Sequence, residues 1–164
     1  MTDKTKNKIA IFDLDETLLA GVPSHLWTCY LWDKKIATHP YFLKLDQQMI
    51  VDYYAEKLDM VQYLYQHFTY FKYHNLDKLN HWVNDFTEKI QLLFYPEEIS
   101  IITQYQQQNI PIMIISATMS FFVHAIAKQL TVDISIGINR QIKDNYYTRY
   151  IEGTPHREKG RLNA

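Results

Sequence analysis

Apolar residues occur along the chain in two ways, as short continuous runs and as longer stretches with helical spacing. Three short runs, β-prone in composition and bounded by polar turns, predict buried strands at residues 8–13, 110–116 and 132–138. Between the last two runs, residues 120–130 carry apolar side chains at helical spacing, which predicts a helix that Ser120 could cap. A strand, a helix and a strand at this spacing form a βαβ unit, so we expect a parallel sheet.

The stretch between the first and second predicted strands has a different pattern, with apolar residues three to four positions apart. This spacing predicts three or four amphipathic helices, at residues 24–36, 46–68 and 76–94. One more helix is predicted at residues 96–108, because proline at its start and two glutamates in its first turn are typical of a helix N-terminus. We therefore predict a discontinuous α/β core, residues 1–20 and 95–164, with an α-helical insert at residues 21–94.

Composition and charge limit the classes of protein to which this chain can belong. Its 164 residues suit one domain, and 17 basic against 18 acidic residues leave a net charge of −1, unlike the basic excess of a nucleic-acid binder. The single cysteine, Cys29, excludes a disulfide framework within the chain and a cysteine-based zinc site. No apolar run approaches the roughly 20 residues of a membrane helix. We expect a cytoplasmic protein that binds neither membrane nor nucleic acid, with Cys29 buried in the insert.

Two aspartates, Asp13 and Asp15, follow the first predicted strand, and Thr17 opens the turn behind them. Ligands of open α/β sheets bind beyond the carboxyl ends of the strands, where these acids fall. Two such acids repel each other unless a cation or a shared proton lies between them. One carboxylate could bind a hard cation and attack phosphorus, while the other protonates the leaving oxygen and then activates water. The alternative is a pair of solvated acids at the start of a helix.

Two further features lie at positions where phosphate could bind. The second predicted strand ends in Ser116, Ala117 and Thr118, which bring hydroxyl and backbone N–H groups to the head of a helix, although Ser116 is also a good N-cap. A basic turn near the end of the chain includes Lys159 and Arg161, and its alternative is a solvated tail. The order of these features along the chain, with acids at one strand end, hydroxyls at the next and cations last, favours the chemistry of the two carboxylates over a pair of solvated acids.

These motifs resemble the haloacid dehalogenase (HAD) superfamily phosphatases, in the phosphoserine-phosphatase-like branch with a helical cap. IAIFDLDETLLAG resembles the first motif of that family, and IIISATMSFFVHAIAKQL resembles the second. DNYYTRYIEGTP resembles the hairpin that leads to the third motif, and Asp144 and Asn145 suit its turn. The resemblance implies a HAD-like Rossmannoid parallel sheet with residues 21–94 as the cap. We expect Trp27 and Tyr30 of this cap to line the cleft.

The resemblance also implies roles for the acids and for the phosphate-binding residues. Asp13 would be the nucleophile and a magnesium ligand, and Asp15 would be the general acid and base, with its backbone carbonyl on the metal. Thr17 would orient both aspartates.

Ser116, with the backbone at Ala117, would hold the transferred phosphoryl oxygens. Lys159 would neutralise their charge, and Arg161 is a possible substitute because this chain reads Lys-Gly-Arg where the family reads Gly-Lys.

The sequence departs from the family in two ways. It contains no counterpart of the fourth, acidic motif, so we expect weak magnesium binding, activity reduced by orders of magnitude and a first strand exposed at the sheet edge, where a homodimer could form. Val22 and Pro23 stand where relatives often carry Asp-Ser. The principal hypothesis is a magnesium-dependent hydrolase of a small, phosphoserine-like phosphorylated metabolite through an aspartyl-phosphate. The alternative is a truncated, catalytically impaired homologue, either a pseudoenzyme or an interaction module.

Overall fold

The fold is seen in a computed structural model, which describes residues 8–59, 62, 63, 65 and 74–152. The strands are β1 (Ala10–Asp13), β2 (Ile112–Met119), β3 (Ile134–Ile138), β4 (Arg140–Lys143) and β5 (Tyr146–Ile151). The helices are α1 (Pro23–Asp33), α2 (Pro40–Tyr54), α3 (Leu76–Lys89), α4 (Pro96–Gln107) and α5 (Ser120–Gln129), with a 3-10 turn at Ile90–Leu93. No helix in this described part is long and apolar enough to cross a bilayer.

The first three strands form a parallel sheet in the order β1-β2-β3, and β4 and β5 form an antiparallel hairpin. This confirms the predicted mixed α/β fold, and within the described residues β1 is an edge strand, as expected. The hairpin turns at Asp144 and Asn145, whose φ angles of 52° and 66° suit the two-residue turns that match strand twist.

Both crossover helices lie on one face of the parallel sheet. The chain crosses the sheet in one direction, from β1 to β2 and then from β2 to β3. Because both parallel connections are expected to be right-handed, α4 and α5 lie on the same side of the sheet. On that side, the ring centroids of Phe12 and of Tyr105 in α4 lie 6.2 Å apart, and the Ser135 hydroxyl oxygen lies 3.5 Å from Nδ1 of His124 in α5.

The opposite face of the sheet carries a patch that we call the isoleucine face. It consists of Ile11, Ile115, Ile134 and Ile136, which the strand register places on one side and which are 37–60% exposed. Parallel sheets are ordinarily covered on both faces, so this exposed apolar surface is an unusual feature of the described chain.

Residues of the insert and of the core share one hydrophobic cluster. The rings of Trp27 in α1, Phe86 in α3 and Phe122 in α5 meet at 5.0–5.5 Å, and Trp27 is 1% exposed. Tyr30 stacks on Trp27 and donates a hydrogen bond to Asp85 at 2.8 Å. The expectation that Trp27 and Tyr30 line the cleft is therefore wrong, because these rings fill the junction between insert and core.

Two sequence-based boundaries also differ from the structure. The helix predicted at residues 46–68 begins earlier, at Pro40, whose fixed φ suits the first helical position, and it ends at Tyr54. Ser120 is the first residue of α5 and does not cap it, because β2 continues through the preceding residue.

Candidate active site

The two aspartates lie at the carboxyl end of β1 in a turn stabilised by local hydrogen bonds. Asp13 Oδ1 accepts a bond from the Leu14 N–H at 2.8 Å. The Thr17 hydroxyl donates to the Asp15 carbonyl oxygen at 3.4 Å and also bonds the Asp13 carboxyl group. Thr17 thus contacts both aspartates, the position from which it could orient them.

Buried leucines anchor the same turn. Leu14, Leu18 and Leu19 are fully buried, and the Leu19 N–H donates to the Leu14 carbonyl at 3.1 Å. Glu16, between them, has a positive φ of 55°, a conformation that costs energy for a residue with a side chain. The alternation of leucines with polar residues therefore holds Asp13 and Asp15 toward the sheet end while the leucines enter the core.

Ser116 of β2 reaches the second aspartate across the sheet end. Its hydroxyl donates to Asp15 Oδ1 at 3.2 Å, and the Thr118 N–H donates to the same hydroxyl at 3.0 Å. The structure thus brings together the two motifs that the sequence analysis placed at neighbouring strand ends. Ser116 lies within β2, four positions before α5 begins, so the expectation that it stands at the head of a helix is wrong.

The electrostatics of the pair favour a protonated Asp15. Burial and the negative charge of Asp13 raise the pKa of Asp15 to about 7, although the hydrogen bond from Ser116 opposes the shift. Partial removal from water also raises the pKa of Asp13, against the hydrogen bonds from Leu14 and Thr17. A carboxyl group with a pKa near 7 can both give and take a proton at neutral pH, which a general acid and base must do.

A narrow cleft of about 10 Å³, room for about one water molecule, lies beside Asp15, with Ala117 and Thr118 on the core side. Six residues from the segment between β1 and α3 line its other side: Val22, Ser24, Met49, Tyr53, Leu58 and Tyr63. A larger groove of about 650 Å³ lies between α3, α5 and β3, but neither aspartate lines it. Of these two spaces, the smaller cleft is therefore the one that adjoins Asp15.

The end of α2 contacts the acidic turn directly. The Tyr54 hydroxyl donates to Glu16 Oε1 at 2.9 Å. Burial and the charges of Asp15 and Asp13 raise the pKa of Tyr53 to about 12, so its hydroxyl stays protonated at neutral pH. Sequence reasoning missed both tyrosines, because two adjacent tyrosines in an amphipathic helix form no motif.

A second unpredicted cluster joins α1 to α2. His25 Nδ1 lies 2.6 Å from a carboxylate oxygen of the buried Asp46, and Cys29 Sγ lies 3.8 Å from His25 Nε2. Cys29 is partly exposed, which corrects the expectation of burial. Burial and the nearby carboxylates of Asp46 and Asp33 raise the pKa of the Cys29 thiol, which disfavours the thiolate that a nucleophile needs. This cluster therefore stabilises the packing of α1 against α2.

The remaining predicted site residues, Lys159 and Arg161, lie outside the described residues. Within the described ranges, no group of three or more His, Cys, Asp or Glu side chains could hold a metal ion. The described acidic donors at the sheet end are the carboxylates of Asp13 and Asp15. Oxygen donors suit a hard cation such as Mg²⁺, which keeps several waters and needs only one or two protein carboxylates.

Comparison with known proteins assigns the family. Residues 10–164 match the haloacid dehalogenase-like hydrolases. The chain belongs to this family. It is therefore a HAD-family hydrolase, which confirms the resemblance drawn from its motifs.

Relatives of this HAD-family chain include phosphatases. It is 24% identical over 156 residues to a histidinol-phosphatase of Neisseria meningitidis serogroup C (strain 8013), covering 94% of this chain and 70% of that protein. A protein of unknown function from Bordetella pertussis Tohama I has the same fold, with a TM-score of 0.79 and 24% identity over 90% of this chain and 67% of that one. A phosphoserine phosphatase structure, a phospho-aspartyl intermediate analogue, matches with a TM-score of 0.60 and 17% identity, over 90% and 64% of the two chains. These structural likenesses confirm the HAD fold.

Proposed function

We propose that this HAD-family protein is a magnesium-dependent phosphomonoesterase that acts on a small phosphorylated metabolite through an aspartyl-phosphate. The observation that carries the proposal is the pairing at the end of the sheet: Asp13 and Asp15 lie in one turn, and Ser116 bonds Asp15. The names of its relatives, histidinol-phosphatase and phosphoserine phosphatase, support the same reaction class.

In the first half of the proposed reaction, the Asp13 carboxylate attacks the phosphorus atom and the ester P–O bond breaks. The leaving oxygen takes the proton held by Asp15, which its raised pKa keeps in place near neutral pH. In the second half, the Asp15 carboxylate takes a proton from water, and the resulting hydroxide attacks phosphorus. The bond to Asp13 then breaks, which releases inorganic phosphate and regenerates both carboxyl groups.

Ser116 and the backbone at Ala117 would donate hydrogen bonds to the phosphoryl oxygens. The Ser116 hydroxyl now donates to Asp15, so it would exchange that acceptor for a phosphoryl oxygen when substrate binds. We assign the neutralising cation to Lys159 or Arg161, as the family resemblance implies.

Magnesium fits the acidic pair, and the Asp13 carboxylate and Asp15 carbonyl oxygen would hold it. The raised pKa values support this assignment, because a cation on the Asp13 carboxylate would offset the desolvation of Asp13 and the repulsion between Asp13 and Asp15. When bound, magnesium would neutralise negative charge on the phosphoryl oxygens.

Removal of the metal tests the proposal directly. We expect the purified chain to release phosphate from 4-nitrophenyl phosphate with magnesium and to lose at least about nine-tenths of that rate in EDTA, since the two aspartates would again repel the anionic substrate. Calcium, which takes more ligands at longer distances, serves as the control cation and should restore little activity. Equal rates with magnesium and with EDTA would contradict the metal assignment.

The organisation of the chain supports a cap over this site. We propose that residues 21–94 form the cap and that residues 1–20 and 95–164 form the core. The contact between Tyr54 and Glu16, and the lining of the cleft by residues of α1 and α2, support a cap that covers the acids.

The edge position of β1 in the described sheet favours a second property, self-association of the chain. Antiparallel pairing of two β1 edges about a two-fold axis at Ile11 would give hydrogen-bond partners to the backbone groups on the outer side of this edge strand. A net charge of −1 presents little long-range repulsion to a second copy of the chain. We therefore propose that the chain forms a homodimer through β1.

We expect sedimentation velocity to show a dimer whose fraction rises with concentration, and Ile11→Lys to weaken it at least about tenfold by placing two like charges opposite each other. Ile142→Lys is the matched control, because Ile142 is 53% exposed on the separate β4–β5 hairpin. A wild-type chain that stays monomeric at all concentrations, or equal effects of the two variants, would contradict this interface.

A further inference from the structure

One residue of the cleft beside Asp15 has a buried polar atom that no described residue bonds. Thr118 is 5% exposed, and its hydroxyl oxygen Oγ1 has no hydrogen-bond partner among the described residues. The residue lines the cleft together with Asp15. Burial of a hydroxyl group without a partner costs free energy, so native structures ordinarily supply one, and an ordered water molecule often fills that place.

The cleft has the size and the polar lining that a buried water molecule requires. Its volume of about 10 Å³ is close to the smallest that holds one water, which also needs about two to four polar partners. Thr118, Asp15 and Tyr53 bring polar groups to the lining. Burial and the charge of the Asp15 carboxylate raise the pKa of Tyr53, which indicates that these two side chains lie close together. The cleft therefore suits a single water molecule.

Thr118 is already connected to Asp15 through its backbone. Its N–H donates to Ser116 Oγ at 3.0 Å, and the Ser116 hydroxyl donates to Asp15 Oδ1 at 3.2 Å. A water in the cleft would add a second connection, through the Thr118 side chain. In the proposed reaction Ser116 exchanges Asp15 for a phosphoryl oxygen, so this second connection would hold the Asp15 carboxyl group while substrate is bound.

We propose that one water molecule occupies the cleft, bonded to Thr118 Oγ1 and to the Asp15 carboxyl group, and that Thr118 positions the general acid through this water. The Thr118 hydroxyl donates to the water oxygen, and the water donates to the carboxyl oxygen of Asp15 that does not carry the proton. Thr118 is a positioning residue, because it acts on the reaction through Asp15. This role rests on the proposed phosphatase function, whereas the water site rests on the cavity and the buried hydroxyl.

A high-resolution crystal structure of the wild-type chain tests the water site independently of activity. We expect an ordered water within about 3.2 Å of both Thr118 Oγ1 and an Asp15 carboxyl oxygen. The same site should lack this water in Thr118→Val, because the valine side chain offers it no hydrogen bond. A wild-type structure without a water at this site, or with one that does not contact Asp15, would overturn the proposal.

Thr118→Val also tests the positioning role, because it removes the hydroxyl and keeps the branched shape of the side chain. We expect kcat for propyl phosphate to fall at least about tenfold, since an acid that is less firmly held is less often in the productive geometry. The rate with 4-nitrophenyl phosphate should fall much less, because nitrophenolate leaves without a proton. Thr118→Ser, which keeps the hydroxyl, should restore most of the activity with propyl phosphate.

Thr87→Val provides the matched control for this substitution. Thr87 is 2% exposed in α3, and its hydroxyl donates to the Val83 carbonyl oxygen at 2.9 Å. It lines neither the cleft nor the groove. We expect this variant to keep the wild-type ratio of propyl phosphate to 4-nitrophenyl phosphate turnover, because the hydroxyl that it loses has no connection to Asp15.

The outcomes separate this inference from the function on which it rests. Equal losses with the two substrates in Thr118→Val, or an unchanged rate with propyl phosphate, would overturn the positioning role and leave the phosphatase proposal intact. Absence of turnover of every phosphomonoester by the wild type would overturn both the phosphatase proposal and the positioning role. The crystal structure decides the water site in either case.

Discussion

Asp13→Asn should lower kcat for phosphate release from 4-nitrophenyl phosphate by at least about a thousandfold. The amide oxygen of asparagine carries no negative charge, so it cannot form the aspartyl-phosphate, and loss of a covalent nucleophile is among the largest single-residue effects on an enzyme. The substitution preserves the shape of the side chain and its position at the end of β1. Measurement of kcat in magnesium, with circular dichroism to establish folding, gives the result.

Asp133→Asn provides the matched control for this substitution. Asp133 is exposed in the turn before β3, and it lines neither the cleft nor the groove. We expect its activity to equal that of the wild type, because it removes one surface carboxylate and touches no proposed site residue. Equal activity of Asp13→Asn and wild type would overturn the aspartyl-phosphate mechanism and favour the catalytically impaired homologue.

Asp15→Asn should lower kcat/KM for an alkyl phosphate by about 10²–10⁴-fold, the usual contribution of a general acid. The loss should be smaller with 4-nitrophenyl phosphate, because nitrophenolate leaves without a proton. A difference between the two substrates therefore separates proton donation by Asp15 from a structural effect, which would lower both rates equally. Equal losses would contradict the role of Asp15 as the acid.

The pH dependence of the wild type follows from the raised pKa of Asp15. Burial, the largest cause, keeps the pKa of Asp15 above its ordinary value even when magnesium at Asp13 offsets the charge of that carboxylate, so the acid form that donates the proton is lost as pH rises through a value no higher than about 7. Above pH 7 the substrate is already a dianion, so its own ionisation no longer changes with pH. Loss of the acid form of Asp15 should then lower kcat/KM for an alkyl phosphate roughly tenfold per pH unit. Ser116→Ala removes a hydrogen bond that lowers this pKa, so the falling limb should move to higher pH. A profile that stays flat to pH 9 would contradict this account.

Much of the fold followed from local patterns of residue type. The three apolar runs formed the strands of the parallel sheet, and the turn at Asp144 and Asn145 formed the predicted hairpin. The contact between Asp15 and Ser116 also followed, because the carboxyl ends of neighbouring parallel strands meet at one edge. Each of these features depends on residues within one element, or on a geometric rule that joins adjacent strands.

Other features depended on distances that no local pattern contains. Trp27 and Tyr30 were expected at the cleft, yet they pack between insert and core, because aromatic residues suit a buried junction as well as a binding surface. Helix α2 ends at Tyr54, and the hydroxyl of this residue bonds Glu16. The sequence pattern predicted a helix that continues to residue 68, so it did not place Tyr54 at a helix end beside the acidic turn.

The sequence by itself determined the order of the strands and helices, the two aspartates at the end of β1 and the serine at the end of β2, because hydrophobic periodicity and parallel-strand geometry act locally. Only the tertiary structure decided the pKa of Asp15, the residues that line the cleft beside it and the exposure of the isoleucine face. Each of these depends on which atoms from distant parts of the chain replace water around a group. That replacement is a property of packing in three dimensions, and residue type and spacing do not specify it.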